Sequence, residues 1–150
     1  MLVAAIGDTG YNVMLLLHIV TAFVAFSPGF VHPLLAVRLQ ADGGGLGRIA
    51  GHMAKNDRMI HSPALLATGL FGFGVAGMSE KTYSVSQGWL VAAVLVWIAM
   101  NGVLHAVVIP AERAVADGND AAAPRISMGY TLISLLVVIV LVLMVWKPGV

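Results

Sequence analysis

The sequence predicts an all-α membrane protein, an antiparallel bundle of four transmembrane helices. Three observations lead to this prediction. Apolar residues make up 59% of the 150 residues and charged residues only 10%, whereas soluble domains have about 45–50% and 25%. The mean hydropathy is +0.93. The charged residues also cluster between four long apolar runs, and the chain length suggests a single domain.

Four segments are long enough to cross a membrane, which takes about 20 apolar residues. They cover about residues 13–39, 59–77, 88–109 and 128–146. The first is longer than a span requires, and Pro28 within it predicts a kink because proline lacks a backbone N–H. Small residues on the second span predict close helix packing, with room for a flat cofactor as the alternative. These residues are Gly69, Gly72, Gly74 and Gly77.

Basic residues predict the orientation of the four spans, because positive residues concentrate in cytoplasmic loops. Six of them flank the loops after the first and third spans: Arg38, Arg48, Lys55, Arg58, Arg113 and Arg125. Only Lys81 and Lys147 fall on the other side. We therefore expect loops one and three in the cytoplasm, both termini outside, and a location in the plasma membrane.

Composition and motifs exclude several function classes. The chain has no cysteine, which excludes disulfides, thiolate metal sites and cysteine nucleophiles. Its net charge of +1 argues against nucleic acid as a partner. No acidic residue lies within the predicted spans, so a proton or cation relay is not expected.

Histidines are the informative polar residues, since polar groups in spans are costly and usually face the bundle interior. His18 and His32 are 14 residues apart on the first span. On a helix they share a face to within about 40° and lie about 21 Å apart. Between them the same stripe carries Ala22, Ala25 and Gly29. A histidine near each end with small residues between is the pattern of a helix that holds two b-type haems.

Two further histidines lie at the predicted depth of His32. His61 stands near the start of the second span and His105 near the end of the third. We interpret His18, His32, His61 and His105 as candidate ligands of haem b iron or of a metal ion such as zinc or copper. A metal site would be all-nitrogen, because no carboxylate lies within the predicted spans. The alternative is that His61 and His105 only reach water at the interface.

An outer haem would have no second histidine. At the depth of His18, Met14 on the same span and Met78 at the end of the second could serve as a weak axial ligand. Such a site would be five-coordinate or His/Met.

Four stretches of the chain resemble a known family. They are LLLHIV with Pro33 fifteen residues after His18, DRMIHSPALLATGLFG, the GWL of residues 88–90, and WKPG near the C-terminus. The chain resembles the HemJ-type proteins, which are small haem-binding protoporphyrinogen oxidases, and the related CopD-like membrane proteins. The resemblance implies a four-helix bundle that holds haem b, with His18 matching the family's first-span histidine. Val91 and Ala93 stand where the oxidases have His and Lys.

These observations predict a small membrane protein that binds haem b and serves in electron transfer or haem metabolism. One alternative is a non-catalytic accessory subunit of a larger membrane complex, such as a respiratory one, since the chain lacks evident catalytic groups and extramembrane domains. Another is a protoporphyrinogen oxidase. The predicted partners are the lipid bilayer and either other membrane-complex subunits or further copies of the chain.

Overall fold

The computed structural model describes residues 6–41, 45–80, 82–84 and 86–149, with backbone alone for residues 33–41. The regular structure in these ranges is entirely helical. Six α-helices are present: α1 (Thr9–Ala41), α2 (Leu46–Asn56), α3 (Ser62–Gly77), α4 (Gly88–Val103), α5 (Ile109–Ala116) and α6 (Ala123–Trp146). Four continuous stretches are long and apolar enough to cross a membrane: Thr9–His32, Leu46–Gly77, Gly88–Ala116 and Asp120–Trp146.

Two π-helical turns join pairs of these helices into longer rods. One, Asp57–His61, connects α2 to α3, and the other, Leu104–Val108, connects α4 to α5. A short 3₁₀ turn, Asp120–Ala122, precedes α6. π turns inside α-helices are rare and often occur at functional sites. Each of these two contains a histidine from the sequence prediction, His61 or His105.

The second and third long helices reach well beyond the predicted spans. Helix α2 covers most of the segment predicted as loop one, and α5 covers the start of predicted loop three. Helix α2 forms because one of its faces is apolar, with Ile49, Ala50 and Met53 buried. The predicted spans began at Met59 and ended at Ile109, but a helix continues for as long as one face can be buried.

Helix α1 continues through Pro28 to Ala41, so this proline does not end it. The kink predicted at Pro28 stays a prediction. The side chains of Pro33 and Arg38 and the whole of Lys81 lie outside the described residues.

The core forms where α1 packs on α3, α2 on α5, and α4 on α6. Met100 and Val108 of the third rod and Val137 of α6 belong to one cluster of buried apolar residues. The outward faces are also apolar: Phe23 is 79% exposed and Leu70 67% exposed. A helix that is apolar on all sides fits a lipid environment, where the outer face also contacts hydrocarbon.

The glycines of α3 allow neighbouring side chains to approach closely, as the sequence predicted. A Cβ atom at Gly69 would overlap the Trp97 indole ring, and one at Gly72 would lie 3.0 Å from Cε1 of His18. A Cβ at Gly74 would lie 2.8 Å from the sulfur of Met14, whereas none of the described residues lies within 4 Å of one at Gly77. Close packing is therefore confirmed at Gly69, Gly72 and Gly74 and is not seen at Gly77 among the described residues.

Candidate metal centre

A buried polar cluster lies among the helices near the junction of α2 and α3. It combines His32 of α1, Asp57 and His61 of the first π turn, Glu112 of α5 and Tyr130 of α6. Asp57 and Glu112 are 0% exposed. No Lys or Arg pairs with either carboxylate within the described part of the chain. Among the side chains that the structure describes, two carboxyl groups are thus removed from water with histidine, and no Lys or Arg, beside them.

The hydroxyl of Tyr130 is the centre of this cluster. Its oxygen lies 2.6 Å from His32 Nδ1, 2.6 Å from Asp57 Oδ2 and 2.7 Å from Glu112 Oε1. A hydroxyl has one proton to donate and two lone pairs to accept with. If all three contacts are hydrogen bonds, Tyr130 donates to one carboxylate, and His32 and the other carboxyl group donate to Tyr130. In that arrangement the cluster holds at least one proton on a carboxyl group.

Each carboxyl group has a second oxygen that is left over. Asp57 Oδ1 and Glu112 Oε2 are buried and have no hydrogen-bond partner among the described residues. Asp57 Oδ1 lies 3.9 Å from His32 Nδ1, too far for a hydrogen bond. Buried carboxylate oxygens without a partner are costly, and such atoms are usually satisfied by a water or an ion.

His61 is oriented as a metal ligand usually is. Its Nδ1 lies 2.9 Å from the carbonyl oxygen of Val24. Because a carbonyl oxygen only accepts, Nδ1 carries the proton and Nε2 keeps a free lone pair. Metal-binding histidines commonly donate their other ring N–H to a carbonyl in this way. One potential ligand atom from each of His32, Asp57 and His61 lies within 4.8 Å of the others, so a single ion can contact all three.

A small cavity lies beside the cluster. It measures about 10 Å³, and apart from His61 and Tyr130 its walls are apolar or glycine, among them Phe26, Leu65 and Met100. This is about the space of one water, but few polar groups face it. The rings of His32 and His61 meet edge to face with centroids 5.9 Å apart. A porphyrin enters here only if the helices separate, so the packed cluster does not fit haem.

His105 lies apart from the cluster. Its Nδ1 donates to the carbonyl oxygen of Asn101 at 2.9 Å, which leaves Nε2 to accept from the Ser62 hydroxyl, also at 2.9 Å. Both ring nitrogens are engaged, and the side chain is exposed. The structure therefore brings together His32 and His61 of the three predicted inner histidines, and not His105.

His18 lies further along α1. Its Nδ1 donates to the carbonyl oxygen of Thr68 at 2.8 Å, and its ring packs on Gly72. Nε2 therefore keeps its lone pair, as the corresponding atom of His61 does. Met14 lies beside Gly74, one turn from this histidine on α1. The haem prediction for His18 stays a prediction.

The sequence predicted an all-nitrogen metal site, but the structure places a carboxyl group, that of Asp57, with His32 and His61. Asp57 and Glu112 lie outside the predicted spans 59–77 and 88–109, and the long helices extend past both. One signal pointed to the cluster: Asp57 and His61 are four residues apart, a spacing that places side chains on one helix face. No comparable signal linked Glu112 or Tyr130 to this site.

Comparison of the chain with protein-family models, with curated proteins and with solved structures finds no match. The similarity to HemJ-type and CopD-like proteins therefore stays a resemblance.

Proposed function

We propose that this protein is an integral membrane protein that binds one divalent transition-metal ion through His32, His61 and Asp57, with Glu112, linked to Asp57 through Tyr130, as the second buried carboxylate. The observation that supports this proposal is the pair of fully buried carboxyl groups, each with an unpartnered oxygen, next to an imidazole with a free Nε2. Two carboxylates neutralise a divalent cation, so the occupied cluster carries no net charge. A neutral cluster is the form that an apolar interior tolerates.

The donor atoms favour particular metals. The site offers imidazole nitrogen and carboxylate oxygen and no thiolate, a set that suits Fe²⁺, Zn²⁺ or Mn²⁺ better than Cu⁺. Two histidines with one carboxylate also make up the ligand set of non-haem iron sites. A redox-active ion would supply one-electron chemistry. Tyr130, between two carboxyl groups, can hold or pass a proton at its hydroxyl oxygen.

Metal analysis of the full chain in mild detergent tests the proposal. The purified protein is stripped with a chelator and titrated separately with Fe²⁺, Zn²⁺ and Mn²⁺, and bound metal is measured by elemental analysis. We expect about one ion per chain. We expect at least tenfold weaker binding in His61→Ala and Asp57→Asn, since each loses a bond to the metal, and in Glu112→Gln, since the neighbouring charge that helps to neutralise the ion is lost.

His105→Ala is the matched control, because both ring nitrogens of His105 are engaged outside the cluster. It should bind metal as the unchanged protein does. Asp57→Asn and Glu112→Gln conserve side-chain shape, so thermal unfolding shows whether they remain folded. A stripped protein that binds none of the three metals, or equal binding by folded ligand variants, contradicts the proposal.

Metal affinity should increase with pH. We expect the metal-free cluster to hold a proton on a carboxyl group, as in the arrangement where Tyr130 donates to one carboxylate and accepts from the other carboxyl group. Ligands must be deprotonated to bind metal. Binding therefore releases at least one proton, and each unit of pH should raise the apparent affinity by up to about tenfold per proton released while the cluster is still protonated. Titrations in buffers of different ionisation enthalpy count the protons. Binding with no proton release contradicts this account of the cluster.

We also propose haem b at His18 as a second candidate, since its Nε2 is unprotonated and the family resemblance includes this residue. The haem candidate depends on His18, which is not a ligand of the proposed metal centre. One proposal can therefore be contradicted without affecting the other. A reduced-minus-oxidised absorption spectrum should show a Soret band that His18→Ala removes and His61→Ala keeps. Absence of the band after expression with excess haem contradicts this candidate. The accessory-subunit, oxidase and homo-oligomer hypotheses stay predictions.

We further propose that the four long helices are antiparallel in the plasma membrane, with loops one and three cytoplasmic and both termini outside. Contacts between the first and second long helices support an antiparallel arrangement. As residue numbers rise on the first helix they fall on the second: Met14 contacts Gly74, His18 contacts Thr68, and Val24 contacts His61. The excess of basic residues in loops one and three supports the orientation.

A further inference from the structure

A cleft of about 610 Å³ lies between α2 and α5, outside the buried centre. Its charged walls are Lys55, Arg58, Arg113 and Asp117, a net charge of about +2. The three basic side chains are exposed and form no ion pair or side-chain hydrogen bond with any residue that the structure describes. Basic residues are common at the end of a span. That tendency does not explain why three of them line one cleft without an acidic partner among the described residues.

The cleft is linked to the buried cluster through the chain itself. Asp57 and Glu112 face the interior and are each followed by an arginine, Arg58 or Arg113, that faces the cleft. Neighbouring residues on a helix point about 100° apart, so each acid–base pair directs its acid inward and its base outward. The first π turn and α5 therefore each present a guanidinium group, that of Arg58 or Arg113, to the cleft.

We propose that this cleft binds the phosphate-bearing headgroup of an anionic phospholipid. Guanidinium groups bind phosphate oxygens with paired hydrogen bonds, and basic side chains close to a membrane attract anionic lipid. The surroundings favour a lipid over a soluble phosphate compound. Met59 lines the cleft and is 65% exposed, and Ile60 beside it is 49% exposed. An acyl chain can cover this apolar surface while its headgroup occupies the cleft.

Native mass spectrometry of the full chain in mild detergent tests this assignment. Phosphatidylglycerol and phosphatidylcholine with identical acyl chains are added at equal concentration. We expect at least a tenfold preference for phosphatidylglycerol, since each basic residue near a membrane contributes about fivefold. The double variant Arg58→Gln with Arg113→Gln should lose the preference. Arg58→Lys with Arg113→Lys should keep part of it, because the charge remains and the paired hydrogen bonds do not.

The matched control is Arg48→Gln with Arg125→Gln, which removes two exposed basic residues that do not line the cleft. It should keep the preference for phosphatidylglycerol. Equal binding of both lipids by the unchanged protein, or equal loss in the control, overturns the proposal. Full displacement of the lipid by inorganic phosphate overturns it in favour of a soluble phosphate ligand. Metal content in the same variants should not change, so this test is independent of the metal proposal.

Discussion

Tyr130 connects three parts of the molecule through one oxygen atom. Its hydroxyl contacts His32, Asp57 and Glu112, which lie on α1, the first π turn and α5. Because this contact is fully buried, its loss leaves a histidine and two carboxyl groups without a shared partner. Leaving a buried polar group without a partner lowers the stability of the folded protein by more than an average hydrogen bond contributes. Tyr130 therefore stabilises the packing of these helices and supplies a hydrogen-bond partner to the buried polar groups of the site.

Tyr130→Phe should destabilise the protein by about 1–3 kcal/mol, the cost of leaving buried polar groups unsatisfied. Thermal unfolding in detergent, followed by the helical circular dichroism signal, measures the change. Thr131→Val is the control, because its hydroxyl bonds only to the carbonyl oxygen of Ser127 one turn earlier. The control should change stability by less than about 0.5 kcal/mol. Equal unfolding of both variants would mean that the Tyr130 hydroxyl does not stabilise the bundle.

At the scale of the elements, the glycines of α3 set the distances between helices. The Trp97 indole occupies the space where a Gly69 side chain would lie, and its N–H donates to the carbonyl oxygen of Leu65 at 2.7 Å. The ring thus fills a notch in α3 and is held there by a backbone hydrogen bond. Small residues at such positions are what helix association in lipid requires.

Gly69→Ala should destabilise the bundle by about 1–3 kcal/mol, because the added methyl group overpacks the contact with Trp97. Gly102→Ala is the matched control within α4, where nothing lies within 4 Å of the added atom. By helix propensity alone, alanine is better than glycine by about 1 kcal/mol, so the control should be neutral or stabilising. The midpoint of thermal unfolding measures both. A stable Gly69→Ala protein would contradict the close contact.

The two π turns distribute the histidines. Asp57–His61 supplies two groups to the buried cluster, whereas Leu104–Val108 leaves His105 exposed beside Ser62. In both turns the histidine donates its Nδ1–H to a backbone carbonyl oxygen, that of Val24 on α1 for His61 and that of Asn101 on its own helix for His105. The two turns therefore direct their imidazoles to different neighbours, and only His61 joins the cluster.

At the scale of the whole molecule, two sets of contacts define the ends of the bundle. Lys147, just past the end of α6, donates to the hydroxyl of Tyr83 at 2.8 Å, and the Tyr83 ring packs edge-on against Trp89. The junction of α2, α5 and the start of α6 forms a separate apolar cluster around Ala50, Val115 and Ala122. Loop two therefore shares an end with the C-terminus, and loops one and three share a different cluster.

The proposed orientation predicts opposite labelling of two exposed loop positions. The chain has no cysteine, so single substitutions give an unambiguous signal. In intact cells, Ser86→Cys in loop two should react with a membrane-impermeant maleimide. Asn119→Cys in loop three should react only after the membrane is opened. The reverse pattern, or labelling of both positions in intact cells, contradicts the orientation.

Much of the fold could be predicted from the sequence, because lipid imposes a simple requirement on composition. Four apolar runs of sufficient length predicted four helices that can cross a membrane, and the structure has them. The helix ends were less predictable. Leu46 and Ala116 lie well outside the predicted limits. Each extension has a buried face, and its basic residues lie on the exposed face while Asp57 and Glu112 are buried.

The candidate site was predictable only in part. His32 and His61 were expected at one depth, and the structure places their rings together. The carboxyl groups were not expected, because a charged residue near the end of a span usually faces water. Whether Asp57 faces water or Tyr130 depends on how the π turn rotates the helix about its axis and on where α5 and α6 pack against it.

The sequence by itself determined the apolar character of this protein, the number of its long apolar helices and the identity of its scarce polar residues. The hydropathy of a segment depends only on its own residues and can therefore be calculated from the sequence. Only the tertiary structure decided which polar groups share a site. Glu112 and Tyr130 reach Asp57 from helices far along the chain, and contacts across a bundle depend on helix packing and rotation, which no single segment specifies.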